Sequence, residues 1–236
     1  MFTKSAQYYD LIYSSFKDYP GEAEKIARLI QELNPNAQTI LDVACGTGEH
    51  ARLLHENYNY RVDGIDLDEE LLAAARRKNP EAKFERADMT NFRLGHQYDV
   101  VMCLFSSIGY VRSLENVGKT LDCFKEHLLP GGLIIVEPWF TPESWKPGQI
   151  YMKTVELEDL KICRMSLSER EGTLSKLRFE YLIGTTEEIR HETEDHELGL
   201  FTVEEMTRCL QEAGLDLSYD PEGLFGRGLY VAGHKT

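Results

Sequence analysis

The segment Leu41-Asp-Val-Ala-Cys-Gly-Thr-Gly-Glu-His50 decides the fold of this chain. It follows a short apolar run at 39–41 and leads into a helical pattern, which predicts a strand, a tight turn and a helix. Its two glycines allow the backbone to turn sharply and allow a ligand to approach it closely. Asp42 stands just before the turn, where a carboxylate accepts hydrogen bonds from an ammonium group or from backbone N–H groups. The stretch therefore predicts a loop that binds a charged small molecule.

Two classes of ligand fit such a loop. The dinucleotide spacing G-x-G-x-x-A is satisfied from Gly46 to Ala51, and Asp66 follows about twenty residues after the loop, as an NAD ribose ligand would. An NAD-dependent oxidoreductase is therefore one hypothesis. A dinucleotide site, however, has an apolar strand that runs straight into its first glycine, and Asp42 and Cys45 do not fit that pattern.

Acidic residues also end the next two predicted strands. Asp66-Leu67 ends the second strand, and Ala87-Asp88-Met89 ends the third. Together with Asp42 and the glycine loop, this series resembles the class I S-adenosylmethionine (AdoMet) methyltransferases. The resemblance implies that the glycine loop holds the methionine part of AdoMet, that Asp66 binds both ribose hydroxyls and that Asp88 binds the adenine amino group. It makes AdoMet the expected cofactor and S-adenosyl-L-homocysteine the expected product.

The composition favours a folded protein that does not bind nucleic acid. The chain has 236 residues, of which 42% are hydrophobic, enough to bury the core of one domain. Its formal net charge is -14, whereas binding of DNA or RNA requires a concentrated basic face. We therefore expect a small-molecule substrate and no nucleic-acid partner.

Neither the cysteines nor the apolar segments indicate a metal, a disulfide or a membrane. The five cysteines are scattered without C-x-x-C spacing, which fits neither a disulfide framework nor zinc. The N-terminus lacks the apolar core of a signal peptide, and no run approaches the roughly 20 apolar residues that span a bilayer. We expect a cytoplasmic protein with no metal site.

From 39 to 137, predicted strands alternate with predicted helices. The strands lie at 39–43, 60–66, 82–87, 98–104 and 132–137, and the helices at 48–57, 68–78 and 114–128. Such alternation predicts an α/β fold, a doubly wound Rossmann-like sheet of seven mostly parallel strands, with ligands at the carboxyl ends of the strands. Pro130-Gly131-Gly132 is expected to separate the last helix from the strand that follows.

The alternation stops after strand 5. Apolar residues at every second position predict three or four antiparallel strands there, too thin a sheet to fold alone. The exposed strand edges of this insertion suggest a homodimer. We divide a single domain into an N-terminal lid and helix (1–37), an AdoMet-binding core (38–140), the antiparallel insertion (141–200) and a C-terminal helix and hairpin (201–236).

The first twenty residues are rich in Tyr and Phe, which allows two interpretations. These rings could simply pack onto the domain. Alternatively, the segment is a lid whose ring faces attract a sulfonium cation and whose phenol groups bind a carboxylate or the substrate.

A closer resemblance extends over nearly the whole chain. Its motifs are Tyr9-Asp-Leu11, Lys17-Asp-Tyr19, Leu41 to Gly48, Phe105-Ser-Ser-Ile-Gly109, Pro130-Gly131, Val136-Glu-Pro-Trp139 and Gly226-Arg-Gly-Leu229. In combination they resemble the dTDP-3-aminosugar N,N-dimethyltransferases that make desosamine and mycaminose for macrolides. The glycine loop is general to the class, whereas the motifs after strands 4 and 5 and near the C-terminus are more particular.

The resemblance and the strand-end positions together predict the site residues. Cofactor contacts are expected from Tyr19, Asp42, Ala44, Cys45, Gly46, Gly48, His50, Asp66, Leu67, Ala87, Asp88, Met89 and Leu104. Acceptor contacts are expected from Phe105, Ser107, Glu137, Trp139, Phe140, Arg178, His191 and Arg227, and we expect Tyr9 and Tyr110 to orient the nucleophile. The chain departs from the family pattern with Tyr110 where some members have His, Phe140 where they have Trp, and Asp66 where they have Glu.

The implied reaction displaces a methyl group from a positively charged sulfur, which requires alignment more than activation. An alcohol acceptor would have to lose a proton, whereas an amine need only be unprotonated when it attacks. N-methylation of an amine such as a nucleotide-linked aminosugar is the leading hypothesis, and the amine or hydroxyl of another metabolite is the alternative.

Charged residues of the insertion also allow two interpretations. His191 and His196 could accept a proton, although a histidine in a strand is more often simply hydrogen-bonded. Four basic side chains could together bind a nucleotide diphosphate, or could simply form a strand face in contact with solvent. They are Arg164, Lys176, Arg178 and Arg190.

Overall fold

The computed structural model describes residues 6–234, so the first five residues of the predicted lid and the last two of the C-terminal hairpin lie outside the described residues. The strands are β1 (Thr39–Val43), β2 (Arg61–Asp66), β3 (Phe84–Arg86), β4 (Tyr98–Cys103), β5 (Leu128–Val136), β6 (Ile150–Glu156), β7 (Leu160–Glu171), β8 (Leu174–Thr185), β9 (Ile189–Gly199), β10 (Leu215–Asp220) and β11 (Leu229–His234). The helices are α1 (Tyr9–Tyr13), α2 (Tyr19–Leu33), α3 (Glu49–Tyr58), α4 (Glu69–Lys78), α5 (Leu114–Glu126) and α6 (Val203–Glu212), with 3-10 helices at Ala6–Tyr8 and Ser107–Val111.

The main sheet has seven strands in the order β10-β11-β5-β4-β1-β2-β3. Strands β1 to β5 pair in parallel, whereas β11 is antiparallel to both β5 and β10. From β1 the chain builds β2 and β3 on one side and β4 and β5 on the other. The carboxyl ends of β1 and β4 therefore border the crevice where such sheets bind ligands. The predicted fold class is confirmed.

Helices cover both faces of the main sheet. The apolar stripe of α2, formed by Ala23, Ile26, Ala27 and Ile30, is completely buried. It packs in one core cluster with α3 and α4, while α5 and α6 pack in a second cluster on the other face. None of the helices within residues 6–234 is long and apolar enough to cross a membrane.

The insertion forms a separate sheet in the order β6-β7-β8-β9, with strands of up to 12 residues. Its inner face carries Phe179, Tyr181 and Ile183, which pack against Tyr8 and Ile12 of the N-terminal segment. Side chains alternate along a strand, so the residues between these point to the opposite, outer face. Four strands fit the predicted three or four.

The boundary between α5 and β5 differs from the prediction. The helix ends at Glu126 rather than 128, and β5 already begins at Leu128, which pairs with Tyr98. Pro130 and Gly131 lie inside β5, where the register shifts between Tyr98 and Val100. Pro130 and Gly131 therefore form a local irregularity within β5 and do not separate the helix from the strand.

Candidate active site

A cleft opens where β1 and β4 end. We call it the cofactor cleft, and its lining residues are Tyr9, Tyr19, Asp42, Ala44, Cys45, Gly46, Thr47, Glu49, His50, Leu104, Phe105 and Ser107. The glycine loop, the turn after β4 and the N-terminal segment thus meet at one place. Eight of these twelve residues are among those predicted as cofactor or catalytic contacts. Phe105 and Ser107 are among those predicted for the acceptor, and the structure adds Thr47 and Glu49.

The two glycines of the loop have different roles. Both Gly46 (φ +56) and Gly48 (φ +70) have a left-handed backbone. A Cβ atom on Gly48 would lie 2.8 Å from the Asn79 side chain and 3.2 Å from the Ala75 Cα, whereas one on Gly46 would meet nothing within 4 Å. Gly48 therefore allows α3 to pack against α4, and Gly46 leaves the space over the loop open.

Two carboxyl groups end the neighbouring strands β1 and β2. Asp42 is 2% exposed, and its Oδ2 has no hydrogen-bond partner among the described residues. Burial, and then the charge of Asp66, raise the pKa of Asp42 to about 8. Asp66 accepts hydrogen bonds from the backbone N–H groups of Gly46 (2.9 Å) and Asp68 (2.9 Å). This pair favours a cationic ligand, which fits the sulfonium and ammonium groups of AdoMet.

The third strand end completes the rim. Ala87 N–H donates to the Asp66 carbonyl (3.0 Å), which joins the ends of β2 and β3. Asp88 is exposed, and its Oδ1 accepts from the backbone and hydroxyl of Thr90. Met89 is buried beside it. Leu67 directly follows β2 at the same rim. The exposed carboxyl group of Asp88 is accessible there to a polar group of a ligand, such as an adenine amine.

The N-terminal segment covers the glycine loop. Thr47 donates its hydroxyl to Asp10 Oδ1 (2.6 Å), and Lys78 on α4 forms an ion pair with Asp10 Oδ2 (2.7 Å). Tyr9 and Tyr19 are buried, and burial raises the pKa of both phenols. The segment thus packs over the glycine loop, as both interpretations of it require, and its Asp10 contacts were not anticipated from the sequence.

A buried ion pair behind the cleft was also missed. Lys17 Nζ bonds both carboxylate oxygens of Glu22, and Glu22 Oε2 lies 2.8 Å from His50 Nε2. Lys17 also lies over the ring of Phe105, 4.1 Å from its centroid, and the edge of His50 meets the ring of Tyr19. The available signal was Glu22 itself, an acid beside the buried apolar stripe of α2.

The turn after β4 is strained and supported by β5. Phe105 (φ +52) and Ser106 (φ +63) both adopt the left-handed conformation, which is uncommon for residues other than glycine. Phe105 N–H donates to Glu137 Oε2 (2.6 Å), and the Ser106 hydroxyl donates to the Pro138 carbonyl (2.7 Å). Arg227 Nη2 donates to Glu137 Oε1 (2.7 Å), and Glu137 is completely buried. Glu137 and Arg227 thus hold the turn in place, and their contact with the acceptor stays a prediction.

Aromatic residues extend the site towards the insertion. We call this part the acceptor end: the turn after β4, Tyr110, Trp139 and the inner face of the insertion sheet. Trp139 Nε1 donates to the Ser175 hydroxyl (2.8 Å), and its ring meets that of Phe140 at 4.8 Å between centroids. Tyr110 Oη lies 2.8 Å from His196 Nδ1.

Two predicted acceptor residues do not reach this site. Arg178 and His191 lie on the outer face of the insertion sheet, with side chains 59% and 63% exposed. Arg178 pairs with Asp195 (3.1 Å) and His191 with Glu180 (2.7 Å). The strand alternation decides this, because Phe179 points inwards and its neighbours point outwards. We therefore remove both residues from the candidate site.

Comparisons with known proteins agree with this geometry. A methyltransferase domain family matches residues 40–132. The dTDP-3-amino-3,6-dideoxy-alpha-D-glucopyranose N,N-dimethyltransferase of Streptomyces fradiae is 40% identical over 228 residues, which cover 96% of this chain and 89% of that protein. The crystal structure of Streptomyces venezuelae DesVI matches with a TM-score of 0.92 and 36% identity over 98% of each chain. The SAM-bound amino pentose methyltransferase CalS10 from Micromonospora echinaspora matches with a TM-score of 0.87 and 31% identity over 96% of each chain.

The fold and the acidic strand ends define an AdoMet-dependent methyltransferase, and AdoMet is its cofactor. The chain belongs to the family of dTDP-aminosugar N,N-dimethyltransferases. The alternative of an NAD-dependent oxidoreductase is set aside by this membership.

Proposed function

We propose that this enzyme transfers two methyl groups from AdoMet to the amino group of a dTDP-linked aminosugar. The observation that carries this proposal is the 40% identity over 96% of the chain to a dimethyltransferase named for such a substrate. The identity extends through the insertion, which forms one wall of the acceptor end. A substrate that fills the acceptor end would therefore meet similar walls in both proteins.

The residues of this chain would bind and align the reactants. AdoMet supplies an electrophilic methyl group on a sulfonium sulfur. Asp42 and Asp66 provide the negative charge that holds a cationic ligand at the strand ends. Tyr9 and Tyr110 orient the amine. The pKa of Tyr9 is raised first by burial and then by the nearby phenols of Tyr19, Tyr13 and Tyr110, so Tyr9 keeps its hydrogen. Such alignment is worth roughly 7 to 11 kcal/mol of barrier lowering.

The inner face of the insertion offers a cation for a diphosphate. Arg164 on β7 is buried, contacts the rings of Tyr13 and Phe179, and has no partner for Nη1 within residues 6–234. Arginine is well suited to bind phosphate oxygens. Among the four basic residues noted in the sequence, Arg164 and Arg190 have positions on this inner face.

The test is to incubate the enzyme with AdoMet and a dTDP-3-aminosugar and to follow the masses of the products. We expect addition of one and then two methyl groups. A dTDP-sugar with a hydroxyl in place of the amine should stay unmodified. Methylation of the hydroxyl sugar, or no reaction with several aminosugar nucleotides while other metabolite amines react, would contradict the proposal.

A variant of Arg164 tests, in the same assay, whether this side chain binds the nucleotide sugar. Arg164→Gln should raise the KM for the nucleotide sugar about tenfold, because one charge-assisted contact to phosphate is lost. Arg93→Gln serves as the control, since its side chain is 81% exposed on the surface. An unchanged KM for Arg164→Gln would remove this residue from substrate binding.

We also propose that the enzyme is a homodimer whose insertion sheets meet. Several large apolar side chains are exposed on the outer face of that sheet, namely Ile150, Met152, Met165, Leu167 and Leu182. Ile150 pairs across the strands with Leu167, and Met152 with Met165, so these side chains form one patch. A patch of this kind on a single protein marks an interaction site, and a second copy offers a matching apolar surface.

Light scattering at micromolar concentration tests the dimer. We expect twice the mass of the chain for the wild type and the mass of one chain for Met152→Glu/Met165→Glu. A monomeric wild type would contradict the proposal.

We further propose a cytoplasmic location, which the five free thiols support because disulfides form readily in oxidising compartments.

A further inference from the structure

A buried histidine of the insertion is linked to the acceptor end by one phenol. Tyr110 lies on the 3-10 helix that follows β4, and its Oη lies 2.8 Å from Nδ1 of His196 on β9, 86 residues away. The His196 side chain is 0% exposed, whereas Tyr110 keeps 36% of its surface exposed. Tyr110 also lies close enough to Tyr9, in the wall of the cofactor cleft, to influence its pKa. The phenol therefore links the buried imidazole to the acceptor end, whose turn after β4 also lines the cofactor cleft.

The neighbours of His196 define its tautomer. Glu194 Oε2 lies 3.7 Å from His196 Nε2, and Tyr181 donates its hydroxyl to the same carboxylate oxygen (3.1 Å). The negative charge of this carboxylate favours the tautomer that carries its hydrogen on Nε2. Burial lowers the pKa of His196, which keeps the ring neutral with a single N–H. Nδ1 is then the acceptor, and the hydroxyl of Tyr110 donates to it.

This arrangement leaves the lone pairs of Tyr110 for a donor in the cleft. An amine or ammonium group is such a donor. The pKa of Tyr110 is raised, chiefly because its hydroxyl end is buried beside His196, so the phenol keeps its hydrogen and does not act as a phenolate. Tyr110 can accept a proton from the cleft only if it gives its own to His196.

We propose that Tyr110 and His196 form a relay that takes up the proton lost by the acceptor ammonium. This inference rests on the proposed function, because it requires an amine substrate. The N–H bond of the ammonium breaks, its electron pair stays on nitrogen, and the proton binds the Tyr110 oxygen. The original O–H bond of Tyr110 breaks in the same step, and its proton binds His196 Nδ1. The resulting imidazolium faces the carboxylate of Glu194.

Methylation of an amine creates the need for such a relay. An alkyl amine is protonated at neutral pH, and only the unprotonated form attacks the methyl group. The first transfer produces a secondary ammonium, which must lose a proton before a second transfer. When the product has gone, the proton leaves by the reverse path, from His196 through Tyr110 to water in the emptied acceptor end.

The charges around His196 favour brief rather than permanent protonation. Glu194, also on β9, favours the imidazolium, and Arg164 on β7, two strands away, disfavours it. From β8, Tyr181 contacts Glu194, and from α1, Tyr13 approaches Arg164. Within residues 6–234, Glu194 and Arg164 thus act on the ring in opposite directions.

The test uses His196→Asn, whose side-chain oxygen replaces Nδ1 as an acceptor for Tyr110 but cannot be protonated. At pH 7 we expect kcat for the aminosugar nucleotide to fall about hundredfold, at the lower end of the usual range for proton-transfer catalysis. The KM should change less than about threefold. At pH 9.5 or so the amine arrives unprotonated, and the deficit in kcat should largely disappear. His191→Asn, on the outer face of the same strand, should behave like the wild type at both pH values.

Two further measurements keep the inference open to refutation. Tyr110→Phe should show the same pH-dependent deficit, and a deficit that is equal at both pH values, or absent, would overturn the relay. Nitrogen-15 NMR of His196 in the wild type with S-adenosylhomocysteine should show the Nε2–H tautomer at pH 7. An Nδ1–H tautomer or an imidazolium would overturn the relay even if His196→Asn unfolds. A wild type that binds AdoMet but methylates no aminosugar nucleotide refutes the proposed function instead.

Discussion

The two ends of the site are constructed in different ways. At the cofactor end, Asp42, Gly46 and Gly48 follow one another within a single turn, and Asp66 reaches the same turn through a hydrogen bond to the Gly46 backbone. At the acceptor end, the main contacts join residues that are 32, 86 and 90 positions apart. The cofactor end is thus a property of consecutive strands, whereas the acceptor end depends on the insertion and the C-terminal hairpin folding against the main sheet.

This difference predicts where substitutions act. A change at the cofactor end alters the local turn and the ligand that it binds. A change at the acceptor end removes a long-range contact, and with it the support of a strained turn. The following experiments test that contrast, from the largest expected effect to the smallest.

The buried pair of Glu137 and Arg227 should give the largest effect. Glu137→Ala leaves the Arg227 guanidinium and the Phe105 N–H without their shared acceptor, and removal of one partner from a buried ion pair typically costs about 3 to 5 kcal/mol. Urea unfolding should show a loss of stability in this range.

The double variant Glu137→Ala/Arg227→Met is the matched control. It should be more stable than Glu137→Ala alone, because no unpaired charge stays buried. A loss below about 1 kcal/mol for Glu137→Ala would mean that the turn after β4 does not depend on this long-range contact.

The two glycines should separate folding from binding at the cofactor end. Gly48→Ala should lower the free energy of unfolding by about 2 to 4 kcal/mol, since a left-handed alanine is strained and its Cβ would meet Asn79 and Ala75. Gly46→Ala has the same strain but open space, so it should cost only about 1 to 2 kcal/mol. Its main effect should be on AdoMet affinity, measured by calorimetry. Equal losses of stability in both variants would contradict this division.

The same contrast explains what the sequence could predict. The alternation of strands and helices, the glycine loop and Asp42 follow from local patterns, and the structure has them as expected. The buried pair of Lys17 and Glu22 was not anticipated, because the position of Glu22 beside the apolar stripe of α2 is too weak a signal to distinguish a buried acid from an exposed one. In the same way, strand alternation within the insertion fixes which residues share a face, but only packing against Tyr8 and Ile12 decides which face is inside.

Asp42 should make the stability of the free enzyme depend on pH. Its pKa in the folded protein is raised to about 8, first by burial and then by Asp66, against about 3.9 in an unfolded chain. The folded state therefore keeps a proton that the unfolded state loses. Asp42 therefore makes its full contribution to the free energy of unfolding below about pH 4, and this contribution is lost as the pH rises to about 8. Asp42→Asn should flatten the unfolding free energy over this range, and an unchanged slope would contradict the assignment.

A cation in the cleft should reverse that protonation. AdoMet binding at pH 7 should release up to about one proton, because the charged ligand lowers the pKa of Asp42. Calorimetry in two buffers with different ionisation enthalpies measures the release. It should vanish near pH 9.5, where Asp42 is already ionised, and in Asp42→Asn at any pH.

The contact between the N-terminal segment and the glycine loop should give the smallest effect on stability. Lys78 and Asp10 are partly exposed, with side chains 23% and 38% accessible, and such pairs contribute about 0 to 1 kcal/mol. Asp10→Asn should therefore hardly change the unfolding free energy. It weakens the contacts to Thr47 and Lys78 at the same time, so S-adenosylhomocysteine should dissociate several-fold faster in stopped-flow measurements. Glu24→Gln, which removes an exposed ion pair with Arg28 on α2, should change neither quantity. If Asp10→Asn releases the product at the wild-type rate, the segment packs on the domain without closing the cofactor end, and the simpler interpretation of the aromatic N-terminus is correct.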